Sequence, residues 1–175
     1  TTGFGAAMVM TPPLALLIGA RTAVPVTLLL ETFAAAPMLP AAFAIARWKV
    51  IAPICTAAVL AVPLGGLLLL FASQLTLRRL IASTVILFSL ALLSGFRHQG
   101  GRRLTLSIGL GALSGTMLGA TSIGAPPVIL YLLSGPDPVA VTRANLTLYV
   151  VVISAAGLVM LGFAGLLNAQ ALTQG

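Results

Sequence analysis

Long stretches without a charged residue constrain the fold of this chain more than any other feature of its sequence. The 175 residues include nine Lys or Arg and two Asp or Glu. A helix needs about 20 mainly apolar residues to cross about 30 Å of hydrocarbon. Uncharged runs cover 1–20, 50–77, 80–96, 104–136 and 144–175, and 22–46 contains only Glu31. The sequence therefore predicts an integral membrane protein that crosses the bilayer about six times.

The apolar runs are continuous, which distinguishes membrane helices from the strands of a membrane β-barrel. A barrel strand alternates apolar and polar residues over about 10 positions, whereas the run 64–71 is apolar or glycine throughout. Only 6% of the residues are charged, against about a quarter in soluble domains. The sequence therefore predicts an all-α, polytopic transmembrane helical bundle in the cell membrane, of the bacterial inner-membrane type. The predicted helices cover 2–18, 22–45, 50–72, 78–96, 104–134 and 140–166.

The positive charges lie in short loops, which argues against nucleic-acid binding and bears on orientation. The net charge is +7, but no helix face or tail concentrates it, so we expect the lipid bilayer and no nucleic acid as a partner. Lys and Arg in short loops are retained on the cytoplasmic side. If every helix crosses once, the loops at 47–49 and 97–103 share one face with five cations, against four, including Arg143, on the other. This bias weakly favours a cytoplasmic position for those two loops.

Two segments of the chain resemble each other at a shift of 114 residues. The shift places Pro12-Pro13 on Pro126-Pro127 and Glu31 opposite Asn145. In each copy a glycine-rich stretch and a proline pair precede an apolar helix, and a second apolar helix follows. We therefore predict two related halves, the second of them incomplete. The predicted halves cover 1–103 and 104–175.

Glycine and proline together predict a break in each of these two segments. Proline lacks an amide hydrogen and pushes the preceding residue out of helical geometry, and glycine tolerates the resulting dihedral angles. Broken helices in corresponding positions of two halves mark the binding sites of transporters. We expect breaks near 5–13 and 119–127 that face each other near mid-membrane, with half-helix amino termini whose positive dipole ends suit an anion. The alternative is a kinked helix whose glycines allow close packing.

The second segment carries a resemblance to a known family. The run from Gly119 to Tyr131, followed by Arg143-Ala-Asn-Leu146, is similar to the second-half signature of the sulfite exporter TauE/SafE family. The start of the chain resembles the first-half signature, except that Ala6 and Ala7 stand where further glycines are usual. The resemblance implies two related halves, further helices beyond the last residue, and transport of sulfite or organosulfonate anions.

The expected binding residues follow from the breaks and from the resemblance. Arg143 offers a planar fork of donors to an oxyanion, although an interfacial contact with lipid headgroups is an equally simple explanation. Thr121 and Ser122 could donate hydroxyl groups, but small polar residues also pack helices together. A small anionic substrate is expected to contact Gly3, Gly5, Pro12, Pro13, Gly119, Thr121, Ser122, Gly124, Pro126, Pro127, Arg143 and Asn145.

Glu31 is the one acidic residue well inside a predicted span. An intramembrane carboxyl group is energetically costly and marks an ion or proton pathway. Burial favours the neutral form of a carboxyl group, which suits a role in proton coupling. The structural alternative is a protonated acid hydrogen-bonded between helices. Pro25, Pro37 and Pro40 surround Glu31 and predict an irregular helix there.

Three classes of function were compared with the sequence. An intramembrane serine protease using Ser114 would need a positioned base, and the sole histidine, His98, lies in a predicted loop. A channel or a structural subunit lacks an evident filter sequence but stays as the alternative. Cys55, the single cysteine, gives neither a disulfide nor a metal-ligand spacing. We therefore expect a proton- or ion-coupled transporter of a small anion, not an enzyme, without cofactor or metal, and leave homo-oligomer formation open.

Overall fold

The computed structural model describes residues 6–94 and 104–163, which form an all-helical membrane bundle. No strand occurs within these two ranges. The 3₁₀ turn Ala36–Met38 makes the predicted helix 22–45 irregular at Pro37, as expected from its prolines. The described helices are α1 (Ala6–Leu17), α2 (Ala20–Ala35), α3 (Leu39–Ile45), α4 (Trp48–Phe71), α5 (Gln74–Leu93), α6 (Leu104–Thr121), α7 (Ala125–Leu133) and α8 (Val139–Phe163).

Five helical segments of the described chain are long and apolar enough to cross a membrane. This confirms the predicted fold class. The helices α1 and α7 have 12 and 9 residues, fewer than the roughly 20 that a crossing needs. The prediction of about six crossings counted 2–18 as a full span, and the described part of that segment is too short for one. The five segments are Ala20–Ile45, Trp48–Phe71, Gln74–Ala91, Leu104–Thr121 and Val139–Phe163.

The predicted break in the second glycine- and proline-rich segment is confirmed. The helix α6 ends at Thr121 and α7 begins at Ala125. The predicted helix 104–134 is therefore two helices, separated by residues 122–124. This interruption lies inside the range 119–127 that the sequence indicated.

The predicted break in the first segment is wrong over the residues that the structure describes there. The backbone of α1 stays helical through Pro12 and Pro13. Two missing amide hydrogens weaken a helix, but α1 packs against both α2 and α5, and this packing holds it in one piece. The chain turns instead at Gly19, whose φ of 80° is a conformation that glycine adopts readily.

A row of glycines on α6 fixes how α6 lies against α4. A Cβ atom added at Gly111, Gly115 or Gly119 would overlap the backbone of α4. Three glycines at four-residue intervals therefore let two backbones approach more closely than side chains would allow. The α4 residues they meet are, in the same order, Ile54, Ala58 and Val62. Because residue numbers rise together on both helices, α4 and α6 run parallel.

The helix α7 does not continue α6 but folds back along it. The hydroxyl of Ser114 donates to the carbonyl of Gly124, and the hydroxyls of Ser107 and Tyr131 are 2.8 Å apart. These pairs place later residues of α7 beside earlier residues of α6, as in a hairpin. We call this unit the re-entrant hairpin, with residues 122–124 as its tip.

The tip of the re-entrant hairpin lies at a level inside the end of α4, a helix long and apolar enough to cross a membrane. Gly119, just before the tip, packs against Gly66 of α4. Gly66 precedes the end of α4 at Phe71 by five residues, or about 7 Å at 1.5 Å per residue. The non-helical residues of the tip are therefore surrounded by protein below the end of a spanning helix, which is where a bilayer tolerates them.

The helix directions define two membrane faces. The helices α3, α5 and α7 end on one face, where α4, α6 and α8 begin, and we call it the Arg47 face. The helices α1 and α4 end on the other face, where α2 and α5 begin, and we call it the Arg21 face. Because the re-entrant hairpin returns, Arg143 at the start of α8 lies on the Arg47 face. The count of Lys and Arg made from the sequence assumed that every predicted helix crosses the bilayer once. It therefore placed Arg143 on the opposite face, which is wrong.

Candidate functional site

The candidate site is a small cavity at the tip of the re-entrant hairpin. Its polar end is formed by the tip, by the first turn of α7 and by Glu31 of α2. Its volume is about 20 Å³, which is room for about one water molecule and not for the four heavy atoms of a sulfite ion. The cavity is therefore too small for such an anion in this conformation. The lining residues are Glu31, Leu118, Ser122, Ile123, Gly124, Ala125, Pro126, Ile129, Val150 and Ile153.

Local hydrogen bonds explain why the chain turns at the tip. Ser122 has a φ of 58°, in the left-handed region that few non-glycine residues adopt. The Thr121 hydroxyl donates to the carbonyl of Met117 at 2.7 Å and accepts from the amide of Ile123 at 3.2 Å. Gly124 then comes so close to α6 that a Cβ atom would overlap the carbonyl oxygen of Ser114. The predicted residues Thr121, Ser122 and Gly124 therefore all shape the tip.

The first turn of α7 offers fewer backbone donors than the sequence analysis expected. Pro126 and Pro127 occupy its second and third positions and carry no amide hydrogen. The amides of Gly124 and Ala125 are the ones that this turn retains. The positive end of the helix dipole is still directed at the tip. Two amides and the dipole are what this end of the cavity can present to an anion.

The structure brings the two glycine- and proline-rich segments into contact. The hydroxyl oxygens of Thr11 in α1 and Ser122 at the tip are 2.8 Å apart. Thr11 also donates to the hydroxyl of Thr27 at 3.4 Å, and Thr27 donates to the carbonyl of Ala23 at 2.9 Å. All three side chains that carry these hydroxyls are fully or almost fully buried. The segments thus meet as predicted, although α1 is not broken at the point of contact.

Glu31 faces the same cavity from α2. It is 9% exposed, and one of its carboxyl oxygens accepts a hydrogen bond from the buried Ser154 hydroxyl at 3.5 Å. Asp137, the other acid of the described chain, lies in the α7–α8 connection on the Arg47 face. Glu31 is therefore the carboxyl group that lines the cavity.

A second layer of buried hydroxyl groups holds the re-entrant hairpin in place. Tyr149 of α8 is fully buried and donates to the Ser114 hydroxyl, which in turn donates to the carbonyl of Gly124. This chain of hydrogen bonds ties α8, α6 and the start of α7 together. Sequence reasoning missed it, and it considered Ser114 only as a nucleophile. It also missed Thr11, Thr27 and Ser154. The only feature in the sequence that could have indicated them is a hydroxyl group within an apolar run.

Several predicted site residues lie away from the cavity. Gly119 packs against α4, and Pro13 is exposed on α1, where Pro12 is half-buried. The side-chain carbonyl of Asn145 accepts from the backbone amide of Arg47 at 2.9 Å, which fixes the corner between α3 and α4. Arg143 is exposed and lines a separate groove between α3 and α8. Gly3 and Gly5 lie outside the described residues.

The comparison with known families is decisive for identity. A family model described as Sulfite exporter TauE/SafE matches residues 1–174. The chain belongs to the TauE/SafE family. No curated protein and no solved structure matches it. As a TauE/SafE protein, the chain is a multi-pass membrane protein of a transporter family, and the resemblance inferred from its glycine and proline pattern is confirmed.

Proposed function

We propose that this TauE/SafE protein moves a small anion of the sulfite or sulfonate class across the bacterial inner membrane in a proton-linked cycle. The carrying observation is the position of Glu31, a buried carboxyl group that lines a small cavity together with the start of α7. An acid and a helix amino terminus that share one intramembrane cavity can bind a proton and an anion in linked fashion.

The start of α7 supports an anion as the substrate. The dipole of α7 and the amides of Gly124 and Ala125 present positive charge and hydrogen-bond donors. A helix amino terminus of this kind binds the anionic group of a substrate in transporters with broken helices. The aliphatic remainder of the cavity lowers the local dielectric constant, which strengthens these interactions.

Glu31 supplies the link to protons. Two unit negative charges about 4 Å apart repel each other by roughly 4 kcal/mol at an effective dielectric constant of 20. An ionised Glu31 and a bound anion therefore exclude each other, whereas a protonated Glu31 can donate a hydrogen bond to an oxyanion. Binding of the anion and binding of the proton thus favour each other, and the anion should bind more tightly as the pH falls.

Opposite helix directions support alternating access by two halves. From their contact at Thr11 and Ser122, α1 runs toward the Arg21 face and α7 runs toward the Arg47 face. The helices that follow, α2 and α8, are also antiparallel, because Glu31 meets Ser154 and Leu28 meets Gly157. We therefore propose that 1–103 and 104–175 belong to inverted halves, which rock around the cavity to open it to either side.

The first test is the substitution Glu31→Gln in the full-length protein, reconstituted in proteoliposomes with labelled sulfite and sulfonates. We expect anion exchange to persist, because an amide carries no charge to repel the anion. Accumulation driven by a pH gradient should fall at least tenfold, because no titratable group remains in the cavity. Counterflow and saturation with substrate concentration distinguish this cycle from a passive channel.

The matched control is Asp137→Asn, which neutralises the other acid of the described chain outside the cavity. This variant should keep the pH dependence of the unsubstituted protein. An unchanged pH dependence in Glu31→Gln would contradict the coupling role. Saturable transport of cations alone, unaffected by sulfite or sulfonates, would contradict the anion site.

A further inference from the structure

A groove on the surface of the bundle lies apart from the cavity and is not used by the proposed cycle. It runs between α3 and α8 and has a volume of about 270 Å³. It extends from Ile45 at the end of α3 to Met38, which directly precedes α3, a distance of seven residue steps or about 10 Å at 1.5 Å per residue. Small side chains leave it open, including those of Ala41, Ala140 and Ala144.

An unpaired cation stands at the end of the groove on the Arg47 face. No described residue forms a salt bridge or a hydrogen bond with the guanidinium group of Arg143, which is exposed. Three of the other four arginines of the described chain are engaged, Arg79 being the exception: Arg47 pairs with Asp137, Arg21 donates to the carbonyl of Leu70 at 2.8 Å, and Arg78 donates to the carbonyl of Ala15 at 3.2 Å. The guanidinium of Arg143 is thus available to an external anion.

Aromatic side chains place this end of the groove at the level of the lipid headgroups. The rings of Phe43 and Trp48 lie 5.4 Å apart, and both side chains are about half exposed. Tryptophan collects at the boundary between hydrocarbon and water. Lys49 is exposed beside them. A phosphate at this level would meet Arg143, and a hydrocarbon chain below it would meet the apolar walls of the groove.

We propose that the groove between α3 and α8 is a binding site for one anionic phospholipid, whose phosphate pairs with Arg143 and whose acyl chain lies against Met38, Ala41 and Ala144. Guanidinium and phosphate groups form paired hydrogen bonds. Basic pockets between membrane helices on the cytoplasmic side bind anionic headgroups in the same way. The charge of Arg143 selects an anionic lipid over a zwitterionic one, and the apolar walls of the groove select a lipid over a free phosphate ion.

The test uses the full-length protein in nanodiscs, with spin-labelled phosphatidylglycerol compared with spin-labelled phosphatidylcholine. The unsubstituted protein should immobilise phosphatidylglycerol more strongly. The substitution Arg143→Gln should reduce this preference about fivefold, the effect of one basic residue near a membrane surface. Lys49→Gln, which removes a cation on the same face outside the groove, should leave most of the preference in place.

Ala140→Phe tests the groove separately from the charge, because it fills the open end while keeping Arg143. It should displace the immobilised lipid even though the net charge is unchanged. Equal immobilisation of both lipids, or a loss in Lys49→Gln as large as in Arg143→Gln, would overturn the proposal. A change from dimer to monomer in Ala140→Phe would show that a second copy of the chain fills the groove, and binding of inorganic phosphate in place of the lipid would also overturn it.

Discussion

Ser122 carries more of the proposed site than any other single residue. It is the non-glycine residue of the described chain with a positive φ, its hydroxyl meets Thr11, and it lines the cavity with Glu31. The sequence indicated Ser122, Gly124 and Glu31 because polar or helix-breaking residues are conspicuous in an apolar run. It could not indicate Thr11, which acts across a helix contact that only the folded chain creates.

The strained backbone of Ser122 can be measured with two substitutions. Ser122→Gly and Ser122→Ala both remove the hydrogen bond to Thr11, which stabilises by about 1 kcal/mol. Only alanine keeps the unfavourable left-handed conformation, which costs roughly 1 kcal/mol more than in glycine. We expect the alanine variant to be the less stable by about this amount in unfolding of the full-length protein in mild detergent. Equal stability would mean that the tip relaxes to another conformation.

Close packing between α4 and α6 could be anticipated from the sequence, whereas the reversal of the chain at the tip could not. Close packing of glycines was the sequence-based alternative to a binding site, and Gly111, Gly115 and Gly119 do pack against α4. The reversal of α7 had no such signal. A hydrophobic run has the same hydropathy whether its second part continues across the bilayer or folds back. Hydropathy therefore cannot show in which direction a helix runs.

Two glycines of α6 provide a matched test of this packing. A Cβ atom at Gly115 would overlap the backbone of Ala58, whereas nothing lies within 4 Å of one at Gly109. Gly115→Ala should therefore force α4 and α6 apart and destabilise the protein by about 1–3 kcal/mol. Gly109→Ala should be neutral or stabilising by up to about 1 kcal/mol, because alanine favours helix. Comparable losses in both variants would contradict the close approach.

For the whole molecule, the re-entrant hairpin changes the charge balance between the two faces. Arg47, Lys49 and Arg143 belong to the Arg47 face, and Arg21, Arg78 and Arg79 lie at the Arg21 face. Three further arginines, Arg97, Arg102 and Arg103, lie outside the described residues but in the segment that joins α5 to α6, whose described ends are on the Arg47 face. The balance becomes six cations against three, where the sequence count had five against four.

This balance predicts a cytoplasmic Arg47 face, since Lys and Arg are retained on the cytoplasmic side. Two variants in a Cys55→Ala background test this orientation. Lys49→Cys places a thiol on the Arg47 face and Ser73→Cys places one on the Arg21 face, and both positions are exposed. A membrane-impermeant maleimide should label the variant at 73 in intact cells and the variant at 49 only in inverted vesicles. The opposite pattern would reverse the orientation.

The re-entrant hairpin also has a consequence for biogenesis. During synthesis α4 enters the bilayer before α6, so the surface that receives the glycine row is already in place when α6 arrives. The helix α8, whose Tyr149 completes the hydrogen bonds of Ser114 and Gly124, comes later. Until α8 inserts, polar groups around the tip lack a partner on that side, and such groups are costly in hydrocarbon. The hairpin is therefore a late-maturing part of the molecule, and a nascent chain arrested before residue 149 should be the form most exposed to membrane quality control.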